Sequence, residues 1–376
     1  MKNTTQLSYL HSNSKTFKET IHALLVKMTD KQRIVSLSFF GASTEADYEE
    51  QFTVLKTEVL HAFDGKMPLV TYIIQPLGSP EEMAVEVFRL SSGTAYKSVE
   101  YKTKGDVRYV VFEWMEHKAL MIEGVRAKST LDSVAEQSDE IFQKIDAILY
   151  DEQIGIHEIV RQWNYIGKIT DYKNGIQNYQ AFNNARARFY SKADWGNCGY
   201  PAATGIGMAV DGILVSLIAV SSKADIQITP IDNPLQIAAH HYSQSMLLGP
   251  KRNETPKFER AKWVRDGFGG VCFISGTAAI RGEQSMHDLD VVLQTRQTIE
   301  NIQYLVSSEN LKRHGVINVV DLNLIALRVY IKNLDFLNTV KAEVEKVWPS
   351  IPVLYIQADI CRTELLVEIE GLATQD

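Results

Sequence analysis

Cysteine is scarce in this sequence. Only Cys198, Cys272 and Cys361 occur among 376 residues, far apart and without a CxxC pair. That pattern supports neither a disulfide framework nor a zinc site and leaves three free thiols. No stretch approaches the roughly 20 apolar residues needed to span a bilayer. The N-terminal MKNTTQLSYLHSNSKTFKET also lacks an apolar core of signal-peptide length. A cytoplasmic protein with no membrane partner is therefore expected. A basic tail and an arginine-rich stripe are missing too, and the formal net charge is -7, which speaks against nucleic acid as a partner. Gly-rich phosphate loops, HExxH and GxSxG do not occur, so nucleotide, metal and cofactor chemistry lose support and no cofactor is expected. His240 and His241 are adjacent but have no further ligands at sensible spacing.

What is present is ordinary globular material. Hydrophobic residues make up 45% and charged residues 23% of the chain, enough for a large core. The length exceeds what one core usually serves, so two domains are expected. RIVSLSFFG reads as a strand, and DYEEQFTVLKTEVLHAF as an amphipathic helix with Phe52, Leu55, Val59 and Phe63 on one stripe. LVTYIIQP, MAVEVFRL, a hairpin around Lys104-Gly105 and KALMIEGV read as strands. The helical stretch from Leu131 to Glu152 is placed across or between the two halves, and the boundary near residue 150. IHEIVRQWNYIGKIT, IQNYQAFNNARARFY, GYPAATGIG and ILVSLIAVSS then repeat the strand-helix pattern. The proline-bearing stretch from Asp225 to Asp266 reads as long loops able to cover a site. The last hundred residues give β-α-β-α-β-β, with Phe336, Leu337, Val340, Val344 and Val347 as one apolar helical stripe.

This C-terminal pattern resembles the Rid (YjgF-like) fold. Beyond the fold, WNYIG, NYQAFNNARARFY, YPAATGIG, the GP-to-PKFERA stretch, FISGTAAIRGE and ADICRTELLVEIEG together resemble the chorismatase family, in this order over most of residues 158 to 372. PLVTYIIQP and AVEVFRL extend the likeness weakly into the N-terminal half. One departure stands out: HHYSQSMLLGPKRNETPKF occupies the place of a shorter, tyrosine-bearing YGP segment in the family. The resemblance implies an α+β chain of two tandem Rid-like units, residues 1–150 and a catalytic unit at 151–376. Each would be a mixed sheet with helices packed on one face. It implies cleavage of chorismate to pyruvate and a hydroxybenzoate, with chorismate as the small-molecule partner. Rid proteins resemble trimers, but a chain with internal Rid-like halves could bury those surfaces within itself, so a monomer or small homo-oligomer is expected.

Chorismate carries two carboxylates, for which arginine is the expected anchor. Arg186 and Arg188 lie two apart in a helical segment and cannot both face one pocket; the family match favours Arg186. Arg362 is the second candidate. The resemblance places the general acid at the first Glu of VEIE, Glu368, where burial would keep a proton near neutrality. Simple alternation would put Glu364, Leu366, Glu368 and Glu370 on one face and Leu365, Val367 and Ile369 on the other. Without a family, an acidic face is an exposed edge strand. Cys361 is seven residues before Glu368, and a turn at Arg362-Thr363 would bring the two together. In the family, a cysteine here marks the subgroup forming 3-hydroxybenzoate. Its thiol is expected to be activated by Arg362, whereas Cys198 and Cys272 read as small buried residues. Tyr179, Tyr200, Thr204 and Gly276 are supporting positions that shape the pocket or bond a carboxylate.

Three other outcomes stay open: hydrolysis of chorismate to the dihydroxy diene, 4-hydroxybenzoate formation, and a different class, Rid-type imine deamination or a silent binding module. Against deamination, Leu354 stands where Rid enzymes carry a substrate-binding arginine.

Overall fold

The computed structural model describes residues 5–90, 99–114, 117–128, 130–221, 226–247, 253–266, 269–316 and 320–375. Its described residues form three large sheets, and one order of elements recurs in each.

In the first, β1 (Thr5–Asn13), α1 (Phe17–Val26), β2 (Ile34–Gly41), α2 (Tyr48–Ala62), β3 (Leu69–Ile74) and β4 (Glu82–Leu90) give the strand order β1-β4-β2-β3, with β2 and β3 parallel. Local chemistry sets the helix starts. Thr16 caps α1 by accepting from the Glu19 N–H, and Ile21, Leu24 and Leu25 then fall on one buried face.

The second sheet begins with the hairpin β5 (Val99–Lys104) and β6 (Val107–Trp114). It continues through β7 (His117–Arg126), α3 (Val134–Glu152), β8 (Ile159–Gly167), α4 (Asn178–Tyr190), β9 (Ala202–Met208) and β10 (Ile213–Val220), in the order β9-β8-β10-β7-β6-β5. The third adds β11 (Gln227–Ile231) and β12 (Ala261–Arg265) to the same core pattern. That core is β13 (Gly270–Ala278), α5 (Val291–Leu305), β14 (Asn323–Ile331), α6 (Leu337–Val347), β15 (Val353–Gln357) and β16 (Val367–Gln375), ordered β11-β12-β13-β16-β14-β15.

Three such units, rather than the expected two, make up the α+β fold. Residue 150 is no boundary, because it lies inside α3. Ile141, Ile145, Ile148 and Leu149 of that helix share a core with Leu120 and Ile122 before it and Ile159 and Ile166 after it. Cutting there would split one cluster. Nor does α3 link two halves: it lies beside α4, with Phe142 stacked on Phe189 at 4.9 Å between ring centroids.

The units converge where their parallel edge strands end. The Ala209 N–H donates to Ile74 O (2.8 Å), the Gly207 N–H to Asp359 O (2.8 Å), and the Gln357 N–H to Pro76 O (2.8 Å). Val35 and Leu90 from the first sheet, Met121 and Ile218 from the second, and Phe273 and Leu372 from the third meet in one apolar cluster. No helix among the described residues is long and apolar enough to cross a membrane.

The expected alternation along ELLVEIEG holds only from Val367, where β16 begins. The turn before it rotates the chain: Leu366 packs with Val367 and Ile369 under the helices, Leu365 joins a different core, and Glu364 accepts the Ser285 hydroxyl (2.7 Å). The stretch after Asp225, read as loops, contains β11 and β12. Residues 222–225 and 248–252, with Asp225, Gly249 and Pro250, lie outside the described residues.

Candidate active site

A cleft opens between the second and third units. From the second unit come Tyr179, Asn183 and Arg186 on α4, with Ala203 and Gly205 on β9; from the third come Arg260, Gly276, Cys361, Arg362 and Glu368. Six of the eight expected site residues thus meet around one space: Tyr179, Arg186, Gly276, Cys361, Arg362 and Glu368.

Helical spacing explains why Arg186 enters and Arg188 does not. Arg186 is 1% exposed and donates from Nη2 to Asn183 Oδ1 (2.7 Å), while Arg188 is on the outer face, bonded to Asp139 (2.7 Å). Arg260, which sequence reasoning passed over, is 2% exposed and donates to the Tyr242 hydroxyl (2.8 Å) and Ile237 O (2.7 Å). Its signal was its place in the quoted PKFERA segment; a single loop arginine has no periodicity to mark it. Three buried donors among these residues have no protein partner: Arg186 Nε, Arg260 Nε and Asn183 Nδ2. Arg362 is half-buried and donates from Nη1 to Glu283 O (2.9 Å) and Ser285 Oγ (3.1 Å).

Glu368 is the second residue of β16, opposite Ala278 and Tyr330, and 5% exposed. Burial first, and the charge of Glu370 second, push its carboxyl up to about 8, against the pull of Arg161 and Arg260. Gly276 makes room for it. A Cβ at that position would sit 1.9 Å from Glu368 Oε1, so a glycine is needed here for close approach. Gly205 plays the same part for Tyr179, whose ring would lie 2.7 Å from an added Cβ.

Glu370 is held differently. Its Oε2 accepts from Arg161 Nη2 (2.5 Å) and from the Thr204 hydroxyl, and its Oε1 accepts from Trp163 Nε1 (3.0 Å) and faces Arg328 Nη1 (3.1 Å). These cations and donors hold its carboxyl below the usual range despite complete burial. Arg328 also pairs with Glu86 from the first unit, so all three units contribute to the network. Arg161 was another residue missed. β8 is buried along nearly its whole length although it carries Arg161, Gln162 and Asn164, and polar residues on both faces of a buried strand signal internal hydrogen bonding.

Two expected residues stand outside the cleft lining. Thr204 lies one layer behind it, accepting from the Gly276 N–H (3.0 Å) and from Arg161 Nη2 (2.7 Å) while donating to Glu370. Tyr200 sits in an aromatic group, 5.0 Å from Trp195, 5.9 Å from Tyr190 and 5.4 Å from His240 between ring centroids. Proximity of Cys361 to Glu368 holds, since both line the cleft, but the activated thiol does not. Desolvation and the Glu368 carboxyl push Cys361 up to about 12, outweighing Arg362. Cys272 is buried in the core as expected; Cys198 is half-exposed. Among the described residues no group of three or more His, Cys, Asp and Glu side chains converges as a metal site.

The fold and this cleft define an α+β protein of repeated sheet-and-helix units with its candidate site at a junction between two of them. A chorismatase crystal structure matches over 99% of both chains with a TM-score of 0.73 at 22% identity, so the two share a fold. Residues 92–219 match the family described as chorismatase FkbO/Hyg5-like, N-terminal. A 3-hydroxybenzoate synthase of Streptomyces hygroscopicus is 34% identical over 228 residues, 59% of this chain and 65% of that relative. A chorismatase of the same organism is 34% identical over 224 residues, 58% of this chain and 62% of the relative. The matched region thus spans just under two thirds of these relatives' length. The chain is chorismatase-like in sequence and in fold, and the resemblance read from its motifs holds.

Proposed function

We propose that this chain cleaves chorismate to pyruvate and 3-hydroxybenzoate, with Glu368 as the general acid. One observation carries the reading: a fully buried carboxyl, protonated through neutrality, faces a cleft lined by Arg186, Arg260 and Arg362. Protonating the methylene carbon of an enol ether needs a carboxylic acid that keeps its proton at neutral pH, and the arginines offer forked donors to the two carboxylates of chorismate. The protonated side chain then departs as pyruvate. Glu370 cannot serve as the acid, since its ion pairs keep it ionised. Cys361 stays a neutral thiol and acts by shape and as a weak donor beside Glu368, not as a thiolate nucleophile. The name of the matched 3-hydroxybenzoate synthase supports this product over the dihydroxy diene or 4-hydroxybenzoate.

The test is product analysis. Purified protein without added metal or nucleotide should convert chorismate to equal amounts of pyruvate and 3-hydroxybenzoate. If chorismate persists while 2-iminopropionate is hydrolysed rapidly, imine deamination replaces this reading.

A further inference from the structure

Two outcomes of the proposed chemistry differ by one water. In the first, Glu368 protonates the side-chain methylene and the neighbouring ring hydroxyl attacks the ring carbon bearing the ether. The ring carbon–ether oxygen bond breaks with its electron pair going to that oxygen, which becomes the pyruvate ketone. The hydroxyl proton returns to Glu368, and the ring rearranges to hydroxybenzoate; the two products together hold the atoms of chorismate. In the second, water adds to the protonated side-chain carbon and the ether oxygen stays on the ring, so the products are pyruvate and the dihydroxy diene. Which outcome prevails depends on whether water reaches the side chain.

One segment of the chain lies along that space. Residues 239–247 cross the cleft with Tyr242, Met246 and Leu247 half-buried along its lining and Ser243, Gln244 and Ser245 exposed. Their polar face is outside and their apolar face inside. The segment is fastened at both ends. Thr255 Oγ1 donates to His240 O (3.0 Å), and Arg260 holds the Tyr242 hydroxyl. At the far side one carboxylate takes both donors of one residue: Ser243 N donates to Glu283 Oε2 (2.8 Å) and Ser243 Oγ to Glu283 Oε1 (2.7 Å). Next to it, Gln284 Nε2 reaches Met246 Sδ (3.5 Å). Pro256, Phe258, Ile280 and Leu365 continue the apolar wall around the lining. The thioether, the leucine and this apolar wall offer water few partners on this segment's side of the cleft, whereas the free donors of Arg186, Arg260 and Asn183 lie elsewhere in its lining.

We propose that residues 239–247 are a specificity-determining strap, clasped by Glu283, which excludes water from the cleft and so selects hydroxybenzoate over the diene. This rests on the chorismate reading and adds a determinant outside the residues that touch the reacting atoms. The side chains of Ser243 and Glu283 make no hydrogen bond to Glu368, Arg186, Arg260 or Arg362, although the Glu283 carboxylate feels the charge of Arg362. Loosening their clasp changes water access without removing any group that touches the reacting atoms.

Two variants test it. Glu283→Ala removes the acceptor from the surface. Ser243→Pro removes both donors at a backbone already suited to proline, since Ser243 has φ -65° and ψ 152° and Tyr242 before it is extended at φ -55° and ψ 141°. Ring products and total pyruvate are measured together, with the unfolding midpoint as the control for folding. Wild type should give mainly hydroxybenzoate. In each variant total pyruvate release should stay near the wild-type level while the diene-to-hydroxybenzoate ratio rises about tenfold, equivalent to ~1.4 kcal/mol between two barriers. An unchanged ratio in folded variants overturns the strap, and so does a wild-type product that is mainly diene. Absence of pyruvate from wild type instead overturns the chorismate reading itself.

Discussion

Glu368 and Glu370 stand two residues apart on one face of β16, and their surroundings drive their protons in opposite directions. Glu370 is ionised between Arg161 and Arg328, and its fixed charge helps to keep Glu368 protonated. A general acid works only while it holds its proton. With Glu368 raised to about 8, kcat/KM for pyruvate release should be level through neutrality and fall as pH rises through about 8. In Glu370→Gln the like charge is gone and Arg161 is freed to act on Glu368, so the alkaline limb should move to lower pH. Breaking the buried pair should also destabilise the fold by about 3–5 kcal/mol. A pH profile of that variant superimposable on wild type would break the link between the two residues.

The arginines are expected to act on binding. Arg186→Ala, Arg260→Ala or Arg362→Ala removes one charged donor, worth about 1.5–3 kcal/mol, so kcat/KM for chorismate should drop at least about tenfold. Arg260 is the informative case, because only the structure places it at the cleft. Steady-state kinetics on each variant reads this directly, and unchanged values in all three would remove the proposed carboxylate sites.

Gly276→Ala tests the fit of the acid. Its new methyl would overlap Glu368 Oε1 and approach Thr204 Cγ2 at 3.1 Å, so the carboxyl must swing away. Turnover should fall toward that of a variant lacking the acid, with the fold retained. Near-normal turnover would show that Glu368 does not work from the position described.

Cys361 gives the test of product choice inside the cleft. As a neutral thiol it is dispensable for pyruvate release, so Cys361→Ala should keep that rate within a few-fold. Its ring product should shift toward the diene, because the cavity left beside Glu368 can admit water. Chromatography of the products from both proteins decides; identical profiles would mean that Cys361 only fills space.

Much of the third unit was legible because its signals are local. The VEIE strand, the α6 stripe with Val340 and Val344, and the helical phase of Arg186 can all be read within a few residues. The threefold repetition was not. β1, the first strand of the first unit, is at a sheet edge, half-exposed and polar in composition, so Thr5–Asn13 shows no strong alternation. Missing β1 and α1 hid the parallel between the first unit and the other two. The Arg161–Glu370 pair was illegible for another reason: its members are 209 residues apart and meet only through the convergence of the sheets. The charge state of Cys361 was misjudged from its neighbour Arg362, since sequence adjacency says nothing of the desolvation and the Glu368 carboxyl that outweigh it.

The central claim is that Glu368 supplies the proton that releases pyruvate. Comparing the rate of pyruvate release from chorismate in wild type and Glu368→Gln tests it most directly, because glutamine keeps the shape and hydrogen bonding of the side chain but has no acidic proton. The rate should fall by roughly 10² to 10⁴ with the unfolding midpoint preserved or raised. A folded Glu368→Gln protein that releases pyruvate at near the wild-type rate would contradict the account.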